Sequence, residues 1–130
     1  MDNYRKHRIS TIPCLEISPL CKPIGTVLLY HGWASNIENY MFFASTVSSW
    51  GYKVIVPELP HHGERGILNY FDKFVLQQYF WDVVFQSVKE AGELVCELSK
   101  TDDHIGFIGH SCGGFIARVR FRMIPGCNPR

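Results

Sequence analysis

No stretch of the 130 residues stays apolar for the length a membrane span requires. Ile9 to Ile17 lies behind a basic N-terminus, but Pro13, Cys14 and Glu16 interrupt it, so it lacks the continuous apolar segment of a secretory leader. Neither sign of charge is in excess: a formal net charge of +1 gives no field to gather nucleic acid or anionic lipid, and neither nucleic acid nor membrane is expected as a partner. Cysteine is sparse in pattern if not in number. Cys14, Cys21, Cys96, Cys112 and Cys127 are odd in count, widely spaced and contain no CxxC pair, which argues against a disulfide framework and a zinc site and for reduced thiols in a cytoplasmic protein. Neither GxGxxG nor GxxxxGK[ST] occurs, which disfavours a nucleotide-binding domain. There is no repeat and no low-complexity tract. What remains, 46% hydrophobic and 19% charged residues, is the composition of one globular domain with one core, spanning 1–130.

Periodicity gives that domain an order. Ile9 to Ile17 alternates loosely around Pro13 and reads as an edge or bent strand. Gly25 to Tyr30 is aliphatic and β-branched without polar alternation, the pattern of a strand covered on both faces. Ser35 and Glu38 have capping-box spacing ahead of a helix of about four turns carrying Tyr40, Phe43, Ala44, Val47 and Trp50, with Gly51 placed to end it. Tyr52 to Pro57 is a second buried strand, followed by the aperiodic polar loop Glu58 to Gly66. From Phe71 to Lys100 the period is helical, with Phe74, Trp81, Val84, Val88, Ala91, Val95 and Leu98 on one stripe. The aromatic cluster Tyr79-Phe80-Trp81 is expected to pack in the core. His104 to Gly109 is a third strand. Strand and helix alternating in this way predict an α/β fold with a mostly parallel sheet and right-handed crossovers.

The chemistry is concentrated in Gly109-His110-Ser111-Cys112-Gly113, which interrupts an apolar strand run just before a helix start. Gly-x-Ser-x-Gly in that setting presents a serine hydroxyl from a sharp bend, where a base can reach it and no neighbouring Cβ blocks the carbonyl it attacks. Ser111 is the expected nucleophile, with Gly109 and Gly113 leaving room. The backbone N–H of Cys112 is expected to face the oxygen that becomes negative in the transition state.

With the strand ending at His31-Gly32-Trp33, and with Val54-Ile55-Val56-Pro57-Glu58-Leu59-Pro60-His61-His62-Gly63-Glu64-Arg65-Gly66 downstream of it, the chain resembles the α/β-hydrolase superfamily. Within it, the chain looks like the small bacterial serine esterases related to the prolyl-oligopeptidase group. The resemblance covers roughly Ile9 to Ala117. It implies a three-layer α/β/α sandwich, a small-molecule ester or acyl substrate, and no metal or organic cofactor. It also implies that the Trp33 N–H is a second oxyanion donor, that His31 and Gly32 support its loop, and that His62-Gly63 lies beside the mouth of the site.

The resemblance further places an acid and a histidine well after the nucleophile. No such positions follow Ser111 here, so the fold is expected to be partial, lacking the C-terminal strands. The isolated chain is then expected to be inactive or weakly active. An alternative is a non-catalytic fragment that self-associates through its open sheet edge; a peptidase or acyltransferase would use the same scaffold. Among the histidines present, His62 is the best internal candidate for a base, with His31 and His110 behind it. Residues 118–130 are atypical: Arg118, Arg120 and Arg122 alternate with apolar residues at period two where a packed helix should run at 3.6, which suggests a change of reading frame or an artificial boundary.

Overall fold

A computed structural model describes residues 3–102 and 104–122. Five strands, β1 (Tyr4–Ile9), β2 (Ile12–Ile17), β3 (Gly25–Tyr30), β4 (Tyr52–Pro57) and β5 (Ile105–Gly109), form one sheet in the order β1-β2-β4-β3-β5. β4, β3 and β5 are parallel, and β1 and β2 add antiparallel strands at one end. Three helices of eight residues or more accompany them among the described residues: α1 (Met41–Ser49), α2 (Lys73–Leu98) and α3 (Cys112–Arg122).

The two faces of the sheet bury different sets, as the period of two requires. Leu15, Ile17, Val27, Leu29, Val54 and Val56 pack with Ala44 and Val47 of α1. Cys14, Leu28, Tyr30 and Ile55 pack on the opposite face with Val84, Val88, Ala91 and Leu94 of α2 and with Cys112 and Ile116 of α3. The result is the expected three layers. At roughly 1.5–3 kcal/mol for each fully buried large aliphatic chain, these two clusters supply most of the drive to fold.

Four local expectations change. Residues 9–17 are not a lone edge strand: β1 and β2 form a hairpin through Ser10 and Thr11, with φ of 51° and 69°. Positive φ at both central residues suits the twist of a two-residue hairpin loop, and β1, not β2, becomes the edge. The capping box does not form. Glu38 pairs with Lys6, and Asn36 Oδ1 accepts the Asn39 N–H at 2.9 Å, so residues 38–40 make a 3₁₀ turn and the α-helix begins only at Met41. The stripe on α2 is half buried. Val84, Val88, Ala91 and Leu98 are in the core, whereas Phe74 and Trp81 remain 70% and 49% exposed, because the first turns of α2 overhang the sheet. The period-two reading of 118–122 also fails: α3 continues through them as helix, with Arg118 exposed and Val119 against the core. The remainder of the tail, 123–130, lies outside the described residues.

Cys14, Cys21 and Cys112 are free thiols, whereas Cys96 is disulfide-bonded, against the expectation of uniformly reduced cysteine. Among the described residues no helix is long and apolar enough to cross a membrane, and no group of His, Cys, Asp and Glu could hold a metal ion.

Candidate active site

From β3 the chain moves through α1 to β4 on one side, then through α2 back across to β5 on the other. At such a reversal the carboxyl ends of two neighbouring parallel strands diverge and leave a crevice, the usual place for a site in an open α/β sheet. Here the crevice lies between the ends of β3 and β5. His31-Gly32-Trp33 leaves one strand and His110-Ser111 leaves the other, and the two segments touch: a Cβ built on Gly32 would stand 3.3 Å from both the Ser111 Cβ and the His110 carbonyl oxygen.

Ser111 sits at φ 58°, in the left-handed region, and is exposed. A non-glycine residue there costs about 1–2 kcal/mol. The strain is held because the chain must turn from β5 directly into α3, whose Cys112 and Ile116 are fully buried. The flanking glycines have a firmer reason than room for an incoming carbonyl. A Cβ on Gly109 would overlap the backbone carbonyl of Gly113, and a Cβ on Gly113 would overlap the carbonyls of Tyr30 and His31. Strand, turn and helix are in backbone contact, which only glycine permits.

The Cys112 N–H is the first of α3, where no intrahelical acceptor exists. Its thiol faces the core, and burial pushes it up to about 12, so it is not a nucleophile at neutral pH. Across the crevice the Ser35 N–H donates to the Gly32 carbonyl at 3.1 Å, closing a turn in which Ala34 takes φ 69° and Trp33 stands at the tip. Among the described residues, neither the Trp33 N–H nor the Cys112 N–H has a hydrogen-bond partner. Tyr40 links the two sides: its hydroxyl accepts the Gly32 N–H at 3.2 Å and lies 3.0 Å from His110 Nδ1. The sequence offered no signal for this role, since Tyr40 falls on the apolar period of a helix.

The histidines have structural duties. His31 is fully buried; its Nε2 accepts the Leu59 N–H at 3.1 Å, so Nδ1 carries the proton and donates to the Gly32 carbonyl at 2.9 Å. Burial holds it down to about 4, and it is neutral at pH 7. His62 is likewise buried and depressed by burial, with Nε2 accepting the Ala34 N–H at 2.9 Å and Nδ1 donating to the Pro60 carbonyl at 2.9 Å. Neither ring has a nitrogen left to take a proton from Ser111, which removes His62 and His31 as candidate bases. His110 turns its ring to Tyr40. The loop that carries His62 is tied to α2 by Arg65, which pairs with Glu90 and donates to the Glu58 carbonyl at 2.7 Å. These charges thus anchor the loop to a helix.

Beside the crevice runs a band of aromatic rings. Trp33 contacts Tyr70 and Phe80, and Phe80 contacts Trp81 and Phe115 at centroid distances of 5.2–6.0 Å. Trp81, Phe85 and Phe115 are 49%, 61% and 47% exposed, so the core-packing expectation for the aromatic cluster holds for only part of it.

No family model matches the chain. It is 31% identical over 121 residues to the putative esterase YitV of Bacillus subtilis (strain 168), a match covering 88% of this chain and 47% of that protein. It is 27% identical over 124 residues to the esterase YjfP of Escherichia coli (strain K12), covering 90% and 49%. The solved structure of TT1662 from Thermus thermophilus superposes with a TM-score of 0.76 at 21% identity, over 89% of this chain and 50% of that one. The chain spans about half the length of the curated relatives it matches. These likenesses show the fold: the five-stranded mixed sheet with its helices is a partial α/β-hydrolase fold.

Proposed function

From a partial α/β-hydrolase fold and esterase relatives, we propose that this chain carries the nucleophile and oxyanion half of a serine esterase, and corresponds to the N-terminal half of a small enzyme related to the prolyl-oligopeptidase group. One observation carries the reading: strained, exposed Ser111 sits at the sheet's switch point, against Gly32 of the loop that carries the Trp33 N–H and directly before Cys112 at the start of α3. Ser111 Oγ would attack a carboxylic ester carbonyl, forming the C–O bond as its proton passes to a base. The carbonyl oxygen would become anionic against the two amides. Collapse would expel the alcohol and leave an acyl-serine, which water hydrolyses.

No described imidazole is hydrogen-bonded to Ser111, and the proposal includes that acid and histidine are supplied by residues other than those described. Removal of a triad member costs several powers of ten in turnover, so the isolated chain should hydrolyse p-nitrophenyl acetate barely above background. A fluorophosphonate probe is nonetheless expected to label wild type slowly and Ser111→Ala not at all. Equal labelling of the two would remove Ser111 from its role, and fast Ser111-dependent turnover would mean that a base acts within this chain.

A second reading, self-association, is favoured by one end of the sheet. Among the described residues β5 pairs only with β3, and the exposed Trp81, Phe85 and Phe115 lie on the helices beside it. An open parallel edge next to an apolar face is an association site. Light scattering at about 100 μM should show dimers or larger species; a clean monomer would contradict this reading.

A further inference from the structure

Loop 31–35 after β3, one side of the crevice, packs against loop 58–66 after β4, and each sends one histidine into the other. His31, from the first loop, accepts the Leu59 N–H of the second. His62, from the second, accepts the Ala34 N–H of the first. Each ring then returns its own proton to a carbonyl of its own loop, Gly32 for His31 and Pro60 for His62. The ring centroids are 5.3 Å apart and edge-on, and both rings are fully buried.

This arrangement acts on the two peptide units that flank Trp33. In the unit joining Gly32 and Trp33, the carbonyl oxygen is held by His31 Nδ1–H and by the Ser35 N–H. A trans peptide is planar with C=O and N–H opposed, so pinning that oxygen aims the Trp33 N–H the other way. In the next unit, the Ala34 N–H is held by His62 Nε2, and Ala34 carries the positive φ of 69° that the turn requires. Released, that turn would relax toward ordinary φ and swing the Trp33 N–H with it. Loop 58–66 does not relax in turn, because Arg65 ties it to Glu90 of α2, and the Tyr70 ring stacks on His62 at 4.7 Å.

We infer that His31 and His62 form a reciprocal clasp, and that His62 is a positioning residue that holds the Trp33 amide toward Ser111. The catalytic consequence rests on the function proposed above; the clasp itself does not. Both rings must be neutral with the proton on Nδ1, since protonated Nε2 cannot accept.

Two substitutions in the full chain separate the ideas. His62→Gln can keep an acceptor where Nε2 stands; His62→Leu cannot. Amide hydrogen exchange of Ala34 should accelerate roughly tenfold or more in His62→Leu, the loss of one buried hydrogen bond, and return to within about threefold of wild type in His62→Gln. Val54, Ile55 and Val56 should stay protected in both, showing that the sheet is intact. Fluorophosphonate labelling of Ser111 should fall by a similar factor in His62→Leu and be rescued by His62→Gln, which a merely stabilising residue would not produce. Unchanged Ala34 exchange in His62→Leu would overturn the clasp, and unchanged labelling despite a freed Ala34 would overturn its positioning role. Should His62→Leu fail to fold, the 15N imidazole spectrum of wild type decides: an Nδ1–H tautomer supports the clasp and an Nε2–H tautomer refutes it. A wild type that takes no label refutes the nucleophile reading and the positioning role with it, and Ala34 exchange then decides the clasp alone.

Discussion

Gly113→Ala is expected to cost this domain about 3–5 kcal/mol, the scale of severe overpacking or backbone displacement. The added methyl would fall inside the carbonyls of Tyr30 and His31, which are backbone atoms at the end of a central strand and cannot swing aside as a side chain can. Relief requires α3 to lift from the sheet, exposing Cys112 and Ile116, which are fully buried. Marginal domains are stable by only about 5–15 kcal/mol, so the variant should be largely unfolded or have a much lower urea midpoint. Gly106→Ala is the matched control. It lies in β5, the strand that leads into the elbow, but has nothing within 4 Å of its would-be Cβ, and it should be neutral or slightly stabilising. Equal midpoints for Gly113→Ala and Gly106→Ala would show that β5, the elbow and α3 are not packed as described.

Stability should also fall by about 3 kcal/mol between pH 7 and pH 4 on account of His31 alone. Its imidazole is held by burial at about 4 in the folded chain, against an ordinary 6.5 when unfolded. Between those values the unfolded chain binds more protons, so stability rises with pH; the contribution is complete above about pH 6.5 and is lost as pH falls toward 4. His62, depressed by the same cause, adds in the same direction. Glu58 opposes them. Burial raises its carboxyl, so its charged form is a cost to the fold that acid removes. Urea unfolding across this range separates the terms, because His31→Gln keeps an acceptor near Nε2 but has no proton to gain. The variant's stability should depend on pH less steeply than wild type by about 3 kcal/mol over the range. Parallel curves for the two proteins would mean that His31 is not a buried neutral ring.

Much of the site could be read from the chain because it depends on local rules. A serine between glycines after an apolar run and before a helix has few conformations open to it, and the structure places Ser111 in the strained turn that this spacing implies. The motif did not carry the firmer reason for its glycines. Their constraint comes from carbonyls in other segments, which spacing does not reveal. The histidines were harder still. His62 looked available as a base because its loop leaves the neighbouring strand on the side of the site, yet burial and two hydrogen bonds turn it into a strut. The capping box gave way to a competing partner for Glu38, Lys6, thirty-two residues earlier in the chain. Ser10 and Thr11 adopt a turn that their side chains do not favour, because pairing of β1 with β2 offsets the local cost.

The sequence alone determined the three parallel strands and the glycine-framed bend that holds Ser111, since periodicity and turn chemistry act over a few residues. Tertiary structure decided which groups can exchange a proton and which only hold the backbone. Whether a histidine is a base or a strut depends on solvent access and on which amides from distant segments face its nitrogens, and both come into being only when the two loops meet.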